Sequence, residues 1–155
     1  MNPTLPPQQP TSRRFMTWML RSPLSIFMSG IMLITVTGRK SGRAISTPVN
    51  YARDGDTVLV ISKVDRTWWR NLRGGARVTL RIQGKIYQAE ATVIEERAAV
   101  ERELLRFFRS IKRTIAGIHL DEDGQPTKPE KFARVVQSRV VIEITHLTPN
   151  AQHAD

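Results

Sequence analysis

Hydrophobic positions recur along this chain in two periods, and the period changes tell where elements begin and end. Residues 31–37 are a nearly unbroken apolar run stopped by Gly38, the pattern of a buried strand. In 45–53, the period-2 spacing of Ile45, Thr47, Val49 and Tyr51 puts them on one face of a second strand. In 57–63, Val58 and Val60 oppose Leu59 and Ile61, so both faces of a third strand are expected to be buried. Asp54-Gly55-Asp56 between these two runs is a hairpin signal. A second hairpin is expected at Gln83-Gly84, with Val78, Leu80 and Ile82 alternating before it and Tyr87, Ala89, Ala91 and Val93 after it.

The period then shifts. Across 98–115, Val100, Leu104, Phe107, Phe108, Ile111 and Ile115 form one apolar stripe with charge opposite, predicting a single helix. A short helix is expected at 130–138 and a closing strand at 140–147. Upstream, Phe15, Trp18 and Met19 share a face in an expected short helix over 12–21, capped by Ser12 and ended at Ser22-Pro23. The order is helix, about five strands in a meander, helix, strand. It predicts a mainly β fold with flanking helices (α+β), a barrel or sandwich and not a doubly wound sheet. The expected division is a disordered tail at 1–11, one domain over 12–148 and a C-terminal tail at 149–155.

Charge sharpens this picture. The net charge is +10. Residues 1–85 carry 14 Lys/Arg against 3 Asp/Glu, and residues 86–155 carry 10 against 11. A basic half implies an anionic partner: a phosphorylated cofactor, nucleic acid or a membrane surface. The chain has no cysteine, which excludes disulfides, thiolate metal sites and cysteine catalysis. The start lacks the order of a signal peptide, and Arg21 and Pro23 break up the apolar 15–37 stretch. A cytoplasmic location is the expectation, with residues 13–30 able to lie on an anionic membrane or to cover a barrel end.

Two segments carry candidate chemistry. Thr37-Gly38-Arg39-Lys40-Ser41-Gly42-Arg43 is a turn whose glycines, cations, hydroxyl and backbone N–H groups can surround a phosphate. It is neither a Walker loop nor a GxGxxG turn, and by itself it reads equally as a basic hairpin tip. Ser62-Lys63, at a strand end, precedes Trp68-Trp69-Arg70-Asn71-Leu72. One tryptophan of this pair is expected to anchor the core, with Asn71 capping something nearby. The other could wall a planar ring system. His119 to Glu130 matches a calcium loop at Asp121, Asp123, Gly124 and Glu130, but the first ligand position is histidine, and no metal site is expected. No paired carboxylates and no Ser/His/Asp set supports hydrolysis, and no catalytic residue stands out.

In this order TGRKSG-R, Thr47-Pro48, the Asp-Gly-Asp turn, Ser62-Lys63 and W-x-x-N-L resemble the deazaflavin-dependent nitroreductase family, over about residues 13–95. That resemblance implies a split β-barrel of the FMN-binding-like kind. It also implies use of coenzyme F-420, an 8-hydroxy-5-deazaflavin bearing a phosphate and a polyglutamate tail, as hydride donor to quinones, enones or nitro compounds. It places Arg39, Lys40, Ser41 and Arg43 on the phosphate and tail, Thr47 and Pro48 against the ring, Ser62 and Lys63 near ring and phosphate, and Trp68 and Asn71 closing the pocket. Here the family's glycine- and proline-containing insert before the tryptophan is shortened to Val64–Thr67. No tyrosine follows Tyr87, where nitroreductase members use tyrosines beside the substrate. Two other readings stay open: a non-catalytic barrel binding FMN, haem or lipid, and a basic surface for nucleic acid or membrane. Nucleic acid is the less expected, because only Trp68, Trp69 and Tyr51 could interleave with the cations. The resemblance also allows a homodimer.

Overall fold

The computed structural model describes residues 30–111 and 114–150. The expected helix at 12–21 and nearly all of the 13–30 segment lie outside the described residues. Among the described residues there are six strands and two α-helices: β1 (Ile31–Thr37), β2 (Ala44–Asp54), β3 (Thr57–Lys63), β4 (Ala76–Ile82), β5 (Lys85–Ile94), α1 (Arg97–Arg109), α2 (Pro129–Ser138) and β6 (Arg139–Pro149). A short 3₁₀ helix, Trp68–Leu72, joins β3 to β4.

The strands close into a barrel in the order β1-β2-β3-β6-β5-β4, all neighbours antiparallel. This is more than a meander. β4 turns away from β3 to pair with β1, and β6 fills the gap between β3 and β5. Closure follows from burial: the inner faces of all six strands are apolar, and only a closed sheet removes every one of them from water. Met32, Ile34, Val36, Val58, Val60, Leu80, Ala91, Ile142 and Ile144 fill the interior. Leu59, Ala52 and Val141 point outward into a second layer with Val100, Leu104, Phe107, Phe108, Phe132 and Val136 of the helices. β3 is therefore apolar on both faces, as its unbroken run implies, whereas β6 gives the outer layer Val141 and turns Glu143 to Arg106.

Both hairpins form where the turn residues place them. Gln83 and Gly84, with φ of 49° and 81°, make the two-residue turn from Ile82 to Lys85. The left-handed angles at both positions match the right-handed twist of the strands. Gly55, φ 60°, opens the turn between Asp54 and Thr57.

The predicted single helix over 98–115 is shorter than its stripe. α1 ends at Arg109, where the Ser110 hydroxyl donates to the Arg106 carbonyl (2.8 Å), and further along the loop Ala116 and Gly117 stand at φ 54° and 67°. Two successive left-handed residues cannot continue a right-handed helix. Ile111 and Ile115 still pack on the helix layer from the following loop. In that loop Asp121 Oδ1 accepts from the amides of Asp123 and Gln125, both at 2.9 Å, so this carboxylate holds its own turn together.

At its other end α1 is capped by Glu96, whose carboxylate accepts from the amides of Ala98 (3.0 Å) and Ala99 (2.7 Å). These bonds favour the charged form and lower the Glu96 pKa from its ordinary 4.5. A depressed folded value means a stabilising contribution that is complete above 4.5 and is lost as pH falls through the folded pKa. Glu96→Ala is expected to lower the melting temperature at neutral pH, and the gap from wild type should close in acid. A gap that persists unchanged below pH ~3 would contradict this.

Candidate functional site

One end of the barrel gathers the chemistry. β1 and β5 finish there, and β2, β4 and β6 begin there. β3 arrives at Lys63, opposite Arg139 of β6. The ends of the strands do not all stay paired. β2 and β3 are in register only from Tyr51↔Val60 to Asp54↔Thr57. Beyond that point β2 runs on with β1 to Ala44, while β3 runs on with β6 to Lys63. The two strands splay, and Pro48 stands in the stretch that lacks a β3 partner. A proline has no N–H to give to a ladder, so the unpaired edge costs least here. Thr47 and Val49 form one lip of the split, and Ser62 lies on the other strand.

The loop between β1 and β2 is closed on itself. Gly38 N donates to Arg43 O and Gly42 N to Gly38 O, each at 2.8 Å. A side chain on Gly38 would begin 2.7 Å from Ser41 Oγ, so any larger residue there would have to displace that hydroxyl. Ser41 Oγ accepts the Arg43 amide at 3.2 Å. Arg39, Lys40 and Ser41 are exposed at the tip, and Arg43 is half-buried.

The 3₁₀ helix closes this end from inside. Trp69 and Leu72 are buried in the barrel core, 2% and 0% exposed, while Trp68 is half-buried. Of the tandem pair, Trp69 is therefore the core anchor. Its indole N–H donates to the Lys63 carbonyl at 3.1 Å, and the Arg70 and Arg73 guanidiniums stand 5.7 and 5.1 Å from its ring centre. Arg73 also forks onto Glu95 at 3.1 and 2.9 Å, which lowers the Glu95 pKa. Asn71 Oδ1 accepts the Arg39 amide at 2.9 Å and its Nδ2 donates to the Trp68 carbonyl at 2.9 Å. Val64–Thr67 makes a tight turn, with the Arg66 amide donating to Lys63 O at 3.2 Å.

The structure thus brings Arg39, Lys40, Ser41, Arg43, Lys63, Trp68 and Asn71 to one end. It separates the members of two adjacent pairs by strand alternation. Thr47 shares the inward side of β2 with Val49, while Pro48 faces outward. Ser62 is buried on the inward side of β3 and Lys63 is exposed outward. Two features were not legible from the sequence: the Trp69 bond that fixes Lys63, and Arg97, whose guanidinium binds the carbonyls of Glu95, Val136 and Arg139 beneath this end. A groove of about 340 Å³ beside the helices, lined by Leu105, Pro126 and Phe132 among others, shares no residue with the site.

Electrostatically this end is lopsided. Among the described residues, Arg39, Lys40, Arg43, Lys63, Arg66 and Arg70 form no ion pair. Loop 38–43 contains no carboxylate. Converging cations without acidic partners favour an anionic ligand. The phosphate and carboxylates of coenzyme F-420 fit that donor set, and a flavin phosphate does too.

The fold is a split β-barrel. Similar solved structures include a conserved hypothetical protein from Mycobacterium tuberculosis, 15% identical, with 96% of this chain and 88% of that one covered and a TM-score of 0.51. The FAD and heme binding protein from Mycobacterium smegmatis is 12% identical, with 87% of this chain and 73% of that one covered and a TM-score of 0.50. The sequence is more specific: residues 14–119 match the F420H(2)-dependent quinone reductase family, and the chain belongs to that family. It is an F-420-dependent oxidoreductase. Among the described residues, no helix is long and apolar enough to cross a membrane.

Proposed function

We propose that this protein reduces a quinone-like acceptor with reduced coenzyme F-420, and that loop 38–43 is its handle on the cofactor. The observation that carries the reading is the cluster of cations on that closed loop, without ion pairs among the described residues, beside the β2/β3 split. When bound, the reduced deazaflavin supplies two electrons as a hydride. The chain's own residues do the rest. Arg39, Lys40 and Arg43 hold the phosphate and the acidic tail, with the Ser41 hydroxyl as a further donor. Lys63, at the end of β3, adds a cation near the same anion. Thr47, on the inner side of the splayed β2, and Trp68, half-buried on the 3₁₀ helix, flank the ring.

A quinone needs one hydride and one proton to become a hydroquinone. A general acid is optional for a quinone, since solvent can supply that proton. The absence of tyrosines after Tyr87 favours quinones and enones over nitro compounds as acceptors. Steady-state assays with reduced F-420 and a water-soluble quinone, nitroimidazole or cyclic enone test the reading. Quinone turnover well above the uncatalysed rate is expected. Reduction of the nitro compound alone, or of no acceptor while F-420 binds, would overturn it.

A further inference from the structure

We infer that Asn71 is the positioning residue for the cofactor's phosphate loop, acting through the Arg39 backbone and not through contact with the ligand. The inference rests on the cofactor reading above. Two observations carry it. First, the side-chain amide is used at both ends: Oδ1 accepts Arg39 N–H and Nδ2 donates to Trp68 C=O. A flipped amide would set N–H against N–H and oxygen against oxygen, so the two partners fix its orientation. Second, the bond to Arg39 joins segments 32 residues apart, the loop after β1 and the 3₁₀ helix. That helix is in turn fixed to the barrel by buried Trp69 and Leu72.

The consequence is geometric. Arg39, Lys40 and Ser41 sit at the exposed tip of a loop whose own bonds are Gly38 to Arg43, Gly42 to Gly38 and the Arg43 amide to Ser41 Oγ, none of which holds Arg39 or Lys40. The Asn71 bond fastens the tip to a rigid part of the barrel. Trp69 does the same for Lys63, through its indole N–H and the Lys63 carbonyl. One five-residue helix therefore sets the loop cations and Lys63 relative to each other, which reduces what the ligand must spend on ordering them. Leucine or alanine at 71 would leave the charges in place and release the loop.

The test compares coenzyme F-420 with its tail-less 8-hydroxy-5-deazaflavin chromophore, which lacks phosphate and glutamates. Binding of each to full-length wild type, Asn71→Leu and Asn71→Ala is measured by fluorescence titration. Amide hydrogen exchange at Arg39 is followed in the unliganded proteins. For both variants we expect about tenfold weaker binding of F-420, the loss of one or two ordinary hydrogen bonds. Binding of the tail-less chromophore should change by less than about twofold, and Arg39 exchange should accelerate. Unchanged F-420 affinity, or equal loss on both ligands, would overturn the assignment, the second result giving Asn71 a merely structural role. A wild type that does not distinguish the two ligands would overturn the cofactor reading itself, and the assignment with it. The wild-type arm separates that failure from a failure of Asn71 alone.

Discussion

Replacing Arg39 and Lys40 together with alanine is expected to weaken F-420 binding by about a hundredfold or more, and to shift the melting temperature by no more than about 2 °C. The two halves of this expectation have different origins. Each cation can give the ligand a charge-assisted hydrogen bond worth roughly 1.5–3 kcal/mol, so losing two costs several kcal/mol of binding. Neither side chain forms an ion pair among the described residues, and both are exposed, so the fold loses little. Removing two nearby like charges even relieves some repulsion. Isothermal titration and a thermal melt on the same preparation decide the matter. Weak binding accompanied by a large drop in melting temperature would mean the loop is structural. Unchanged binding would move the phosphate site elsewhere.

The largest expected effect on stability belongs to Trp69. It is 2% exposed inside the barrel, and truncation to alanine removes the larger of the two buried side chains of the 3₁₀ helix from the core. A cavity of that origin costs about 3–5 kcal/mol, or about 10 °C in a domain of this size. Trp69→Phe keeps most of the packing and loses the indole bond to the Lys63 carbonyl, so it should cost about 1 kcal/mol. Trp68 provides the control. It is half-buried, and Trp68→Ala should destabilise much less than Trp69→Ala while affecting deazaflavin binding more. Urea unfolding of the three variants checks the order. Equal destabilisation by Trp68→Ala and Trp69→Ala would contradict the division of labour between the two rings.

The strands were legible because their periodicity and turn chemistry agreed. Val58 to Ile61 read as apolar on both faces because a helix layer does lie outside them. Gln83-Gly84 and Gly55 supplied the backbone angles that the hairpins use. The order of strands around the barrel was not legible, because pairing of β4 with β1 and of β6 with β5 is decided by closure of the whole sheet. The end of α1 was misread for a local reason. Ile111 and Ile115 keep the helical spacing, but the helix has ended at Arg109 and they pack on the helix layer from the loop. In the site, the segments of the motif string do meet at one end of the barrel. It could not separate Thr47 from Pro48 or Ser62 from Lys63, since neighbours in a motif fall on opposite faces of a strand. Nor could it show that Asn71 has both of its polar atoms already committed to the protein.

The measurement that bears most directly on the account is titration of the purified, unliganded protein with oxidised coenzyme F-420, beside FMN and haem, at low and high salt. The account predicts saturable low-micromolar binding of F-420 that weakens as salt screens the exposed cations, with FMN a weaker competitor because it lacks the polyanionic tail. Tight binding of FMN or haem with none of F-420 would contradict it, and would leave the cation cluster as the anchor of a different ligand.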